Sequence, residues 1–177
     1  MKKQSRKNQF VNAYEEYSDA IFRHCYFRLS NRERAMEIMQ EVFMKTWKSM
    51  ENQKVKNIRA LLYKIANNMV IDEYRKRKNT NLSLDKLHES GFTVSTTEHE
   101  TIQKKIEGGD MLYILENIDE KYKEVTIMRY IDDLSPKEIA EIIGESENVI
   151  SVRIHRALKK VRRIVKKQEK EAEERRT

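Results

Sequence analysis

The chain has 177 residues, enough for one medium domain or two small ones, and 37% of them are charged against a hydrophobic share of 38%. That balance favours small helical units with thin cores, and only four Gly and one Pro exclude a turn-rich β architecture. A net charge of +7 points to a polyanionic partner, and the lone cysteine, Cys25, excludes an internal disulfide.

The first element is a helix expected over 10–29, with Phe10, Ala13, Tyr17, Ala20, Ile21, Cys25 and Leu29 on one face. Lys2, Lys3, Arg6 and Lys7 precede it, but no apolar run follows that would make a leader or a membrane span. A cytoplasmic protein without membrane insertion is therefore expected. Ser30, with Glu33 three residues on, reads as the cap of a second helix. That helix buries Ala35, Ile38, Met39, Val42, Phe43, Thr46, Trp47 and Met50. After a polar break at 50–57, a third helix is expected over 58–77 through Leu61, Leu62, Ile65, Met69 and Tyr74. It ends in the basic cluster Arg75, Lys76, Arg77 and Lys78. Three such helices can enclose one small core.

Residues 79–109 are polar and close on Gly108 and Gly109, the composition of a flexible linker, with a short helical turn expected around Leu84 and Leu87. A short helix follows through Met111, Leu112, Ile114, Leu115 and Ile118, then another through Tyr122, Val125, Ile127, Met128 and Ile131.

The stretch 135–165 carries the most information. Ser135 as N-cap, Pro136 at the first helical position and Glu138 three residues past the cap open a helix whose apolar face is Ile139, Ala140, Ile142 and Ile143. Gly144 supplies the left-handed residue that turns the chain, and Ser146 caps a second helix. Its apolar side is Val149, Val152 or Ile150, Ile154, Leu158 and Val161. Its other side carries Asn148, Ser151, Arg153, His155, Arg156, Lys159, Lys160, Arg162 and Arg163. This is a helix-turn-helix pattern, with hydrogen-bonding residues near the start of the second helix and basic residues along it, as major-groove docking requires. The charged run 166–177 reads as a fraying helix. The expected fold class is all-α: two small helical domains joined by a flexible linker, the C-terminal one containing the helix-turn-helix.

No nucleophile–base pair, phosphate-binding Gly loop or Cys/His set at ligand spacing is present in the sequence, so no enzyme activity, metal or cofactor is expected.

The segments 35–47 (AMEIMQEVFMKTW), 58–77 (IRALLYKIANNMVIDEYRKR) and 134–161, in this order, resemble an extracytoplasmic-function (ECF) RNA polymerase sigma factor that keeps only regions 2 and 4. The resemblance implies domains over 8–78 (region 2) and 110–168 (region 4), a linker over 79–109 and a charged tail over 169–177. It implies that Glu37, Gln40, Glu41 and Lys45 dock on the β′ clamp coiled coil of core RNA polymerase, whose β flap is a further partner. The loop residues Asn52, Gln53, Lys54, Lys56 and Asn57 would capture an unpaired base of the −10 promoter element, since a base edge is read fully only outside the stack. Lys64, Asn67, Asn68, Arg75, Lys76 and Arg77 would face −10 DNA. In the second domain Ser151, Val152, His155 and Arg156 fall where bases of the −35 element are approached, and Asn148, Arg153 and Lys159 where phosphates lie. An anti-sigma factor is a further implied partner. The usual Pro before the penultimate helix is replaced here by Asp119, expected as an N-cap.

A linker of about thirty residues stretches to roughly 100 Å. Promoter elements about seventeen base pairs apart are separated by about 60 Å. The rival reading is a stand-alone helix-turn-helix repressor or activator, which would hold its operator without polymerase.

Overall fold

The computed structural model describes residues 2–84 and 109–174, and every regular element among them is helical. The first lobe comprises α1 (Lys2–Leu29), α2 (Arg32–Asn52) and α3 (Ile58–Leu84). The second comprises α4 (Gly109–Glu116), α5 (Glu120–Thr126), a π turn (Ile127–Ile131), α6 (Pro136–Ile143) and α7 (Glu147–Glu174). The third helix runs past its expected end to Leu84, because nothing from Asn79 to Leu84 is Gly or Pro. That takes in Leu84 of the expected short turn, whereas Leu87 lies outside the described residues. The C-terminal run continues α7 to Glu174.

Caps explain most of the boundaries. The α1–α2 corner differs from expectation. Ser30 takes a left-handed φ of 49°, closing α1 with its N–H on Tyr26 O at 2.8 Å. Asn31 is the true N-cap of α2, its side chain accepting from the Arg34 N–H at 2.8 Å. With two residues between the helices, one must reverse the chain and only the other is left to cap. Ser135 and Glu138 form a complete capping box at α6, and Gly144, at φ 83°, ends that helix with its N–H on Ala140 O at 2.8 Å. Ser146 caps α7 by accepting from the Val149 N–H at 3.3 Å. Asp119 stands at the N-cap position of α5 without capping it. Its carboxylate instead pairs with Lys160 Nζ at 2.6 Å.

The expected helix through Tyr122 to Ile131 is not uniform. Its second half widens into the π turn, where the Asp132 N–H reaches Ile127 O at 3.0 Å, and Asp133 follows with φ 51°. The widened turn leads the chain into the 132–134 corner, which contacts the first lobe.

The core is continuous between the lobes. Ile21, Cys25, Ile38, Val42, Leu62, Tyr63 and Val70 of the first lobe share one buried apolar cluster with Val125, Met128, Leu134, Ile139 and Ile150 of the second. Phe27 of α1 sits in a smaller cluster with Leu115, Ile118 and Ile127. Burial of a large aliphatic side chain stabilises by about 1.5–3 kcal/mol, so these shared residues favour strongly the arrangement in which the lobes touch. Along α7, Ile150 and Ala157 point into the core, while Val149 and Val152 stay 45% and 43% exposed.

Candidate nucleic-acid and polymerase-docking surfaces

Four surfaces carry the residues singled out by sequence. The first is the outer face of α2. Glu37, Gln40 and Lys45 are exposed and Glu41 half-exposed. Arg34 organises the acids, reaching Glu37 at 2.7 Å, Glu41 at 3.9 Å and Glu73 of α3 at 2.9 Å. Met36 and Met44, 36% and 71% exposed, flank Gln40 at intervals of four and so share its helical row. The sequence reading passed over them, yet an unbranched apolar side chain standing in solvent amid acids is the usual mark of a contact face.

The second surface is the loop between α2 and α3. Asn52, Gln53, Lys54 and Lys56 are exposed, and Val55 is half-buried beneath them. Asn57 has a structural task as well: its Oδ1 accepts from the Ala60 N–H at 3.0 Å and caps α3, leaving the amide NH2 outward-facing chemistry.

The third is α3 itself, and here the expected residues divide. Lys64, Asn68 and Arg75 are exposed and, at 100° per residue, fall on one stripe. Arg75 also touches Asp72 at 3.4 Å. Arg77 turns toward the end of α1, donating to Leu29 O at 3.3 Å and lying 3.7 Å from Glu73. Lys76 is exposed beside it. Asn67 is 2% exposed, and its Oδ1 accepts from buried Arg28. In this arrangement Asn67 cannot reach DNA. The Tyr74 hydroxyl donates to Arg28 O, and burial pushes its phenol pKa above the ordinary value of 10.0.

The fourth surface is the outer face of α7. Asn148, Ser151, Val152, His155, Arg156 and Lys159 are all exposed. Steps of three and four place them side by side. Arg153 is half-buried, its guanidinium donating to both oxygens of Glu145 at 2.7 and 2.6 Å. Asn148, Val149, Val152, Arg153 and Arg156 line one wall of a groove of about 340 Å³, and Lys121 and Tyr122 of α5 form the other. Lys121 lies 5.1 Å from the Tyr122 ring centroid and Lys160 4.8 Å from it. Lys160 thus turns away from the recognition row to Asp119, whose carboxyl is held below its ordinary 3.8 by that hydrogen bond and by the charge behind it. Lys121 was not legible as part of this surface, because its helix is remote in sequence from α7.

Among the described residues no group of three or more His, Cys, Asp or Glu side chains is arranged to hold a metal, and no helix is long and apolar enough to cross a membrane. Cys25 is fully buried, and burial pushes its thiol up to about 12.

Comparison with known proteins places the surfaces in a family frame. Residues 13–80 match the Sigma-70 region 2 model and residues 109–161 the Sigma-70 region 4 model. RNA polymerase sigma factor SigV of Bacillus subtilis (strain 168) is 30% identical over 162 residues, covering 91% of this chain and 93% of the relative. ECF RNA polymerase sigma factor SigW of the same organism is 28% identical over 179 residues, covering 91% of each. Among solved structures, the sigma factor RpoE in complex with the anti-sigma factor NepR from Bartonella quintana superposes with a TM-score of 0.72 at 19% identity, covering 89% of this chain and 97% of that one. CnrH in complex with the cytosolic domain of CnrY gives 0.66 at 19% identity, covering 90% and 89%. The two structures share the fold of this chain.

Proposed function

Because this chain belongs to the ECF RNA polymerase sigma factors, we propose that it binds core polymerase through α2, reads a duplex −35 element with α7, and captures melted −10 bases with the α2–α3 loop and α3. On this reading residues 8–78 act as region 2, 110–168 as region 4, 79–109 as the linker and 169–177 as a charged tail. The observation that carries it is the exposed row Asn148, Ser151, Val152, His155, Arg156 and Lys159 on a helix whose opposite side is core. A helix so divided presents hydrogen-bonding groups to base edges while its scaffold holds it rigid.

Arg156 makes a two-pronged pair with guanine, and exposed Val152 packs on a thymine methyl group. Lys121 and Lys159 on either side of the row neutralise phosphates. On α3 the stripe Lys64, Asn68 and Arg75 tracks the displaced strand, while Asn52 and Gln53 supply amide hydrogen bonds to an extruded base. Met36 and Met44 give the α2 docking face an apolar centre, with Glu37, Gln40, Glu41 and Lys45 around it. Bond-making belongs to the polymerase and the chain supplies specificity. An anti-sigma protein is the expected inhibitor, in line with the partners named for RpoE and CnrH.

The decisive experiment is run-off transcription by purified core polymerase on a fragmented genomic library, with and without this protein. Discrete new starts that depend on the protein, sharing two upstream elements, are expected. Absence of such starts, together with tight duplex binding by the free protein, would replace this reading with that of a stand-alone repressor.

A further inference from the structure

We propose that the packing of the second lobe on the first is an autoinhibitory contact, latched by the 132–134 corner, and that the chain must open there before it can occupy a promoter. The inference rests on the sigma-factor reading above. It starts from the side chains that meet between the lobes. Asp132, 7% exposed, pairs through Oδ2 with His24 Nδ1 at 2.7 Å. Leu134 beside it is 1% exposed in the shared core. Arg59 of α3 donates to the carbonyls of Asp132 and Asp133 at 3.2 Å each and pairs with Glu138 at 3.2 Å. Arg28, 2% exposed, holds Asn67 of its own lobe and reaches Glu120 at 3.1 Å and Glu124 at 3.4 Å across the interface.

The charges are sorted by lobe. The first contributes His24, Arg28 and Arg59; the second contributes Asp132, Glu120, Glu124 and Glu138. Ion pairs recover hydration when separated, so an interface that mixes them with apolar contacts opens at less cost than a wholly apolar one. The closed arrangement also conflicts with the task. A packed body of about 150 residues is roughly 40 Å across, whereas promoter elements about seventeen base pairs apart lie about 60 Å apart. Closure further buries Asn67, which the family resemblance assigns to −10 DNA. The α7 reading row stays exposed, so closure blocks the first lobe and joint engagement without hiding the −35 reader.

The test uses the full chain with fluorophores on Asp19→Cys and Lys166→Cys, both at exposed positions; buried Cys25 escapes labelling. Energy transfer in the free protein is expected to report one compact state. Asp132→Ala and Glu120→Lys should each lower the transfer, and saturating core polymerase with a promoter fragment should lower it further in every form. The variants should bind core polymerase several-fold more tightly, because less of the population must open first. The Glu120 side chain is 45% exposed, so Glu120→Lys keeps the test decisive if Asp132→Ala fails to fold. Unchanged transfer in Glu120→Lys with native helicity, or polymerase binding with no loss of transfer, would overturn the latch. Failure to co-migrate with polymerase at all would instead remove the sigma reading, while the free-protein comparison still decides whether the corner holds the lobes together.

Discussion

His24 and Asp132, 108 positions apart, meet at 2.7 Å with their side chains 0% and 1% exposed. Nδ1 of His24 is fully used by this contact, and Nε2 has no hydrogen-bond partner among the described residues. The ring lies edge-on to Tyr63, 5.5 Å between centroids. A polar pair sealed in an apolar setting couples its members strongly. In a cycle of His24→Ala, Asp132→Ala and the double variant, thermal unfolding should reveal a coupling of about 1–3 kcal/mol. Additive losses would mean that each residue acts alone.

Gly144 separates the two helices of the reading motif. At φ 83° an added Cβ would meet no atom within 4 Å, so a substitution suffers only from backbone conformation. Gly144→Ala should cost about 1–2 kcal/mol, and Gly144→Asn less, since asparagine tolerates the left-handed region. Urea unfolding of the three forms checks the order.

Glu138 gives the capping box a pH dependence. Its carboxyl accepts from the Ser135 N–H at 2.8 Å, which, aided by the Ser135 hydroxyl and Arg59, holds its pKa below the ordinary 4.5 against an opposing effect of burial. A lowered folded-state value adds stability that is fully present above 4.5 and is lost as the pH falls through that folded value. Glu138→Gln should therefore be less stable than the parent near neutral pH, with the gap closing as the solution is acidified below 4.5. Parallel melts across that range would show the convergence, and a constant gap would contradict it.

Glu145 holds Arg153 in a two-pronged pair at the entrance to the α7 reading row. A phosphate must displace that carboxylate to gain the guanidinium. Glu145→Gln should tighten duplex binding by region 4 a few-fold and steepen its salt dependence by about one counterion. Titration of a fluorescent −35 duplex at several salt concentrations measures both.

Surfaces on opposite lobes should fail separately. Arg156→Glu is expected to abolish recognition of one upstream element while polymerase still binds. Gln40→Arg with Glu41→Arg should weaken polymerase binding at least ten-fold, roughly the cost of one hot-spot contact, and leave duplex recognition by α7 intact. Polymerase co-migration and promoter-specific run-off transcription, performed on both variants, give the two readouts.

Local signals were the legible ones. Ser135, Pro136, Glu138 and Gly144 act within four residues of themselves, and the helix they bound lies where they indicate. The same logic misassigned Ser30 and Asp119. Ser30 had to reverse the chain, leaving Asn31 to cap, and Asp119 found a stronger partner in Lys160, 41 positions away. On α3 the stripe Lys64, Asn68 and Arg75 stands outward as its spacing implies, whereas Asn67, one step round the helix, is turned inward.

The sequence by itself determined the all-helical class, the order of two helical units, the helix-turn-helix and the family, because periodicity, caps and motif order are written in neighbouring residues. Only the tertiary structure decided that the two units share one core, that Arg28 and His24 are buried, and that Asn67 is withheld from solvent. Their partners Glu120, Glu124 and Asp132 lie 92, 96 and 108 residues downstream. A buried charge is stable only beside its counter-charge, and no local pattern of residues announces a partner that folding brings from that far.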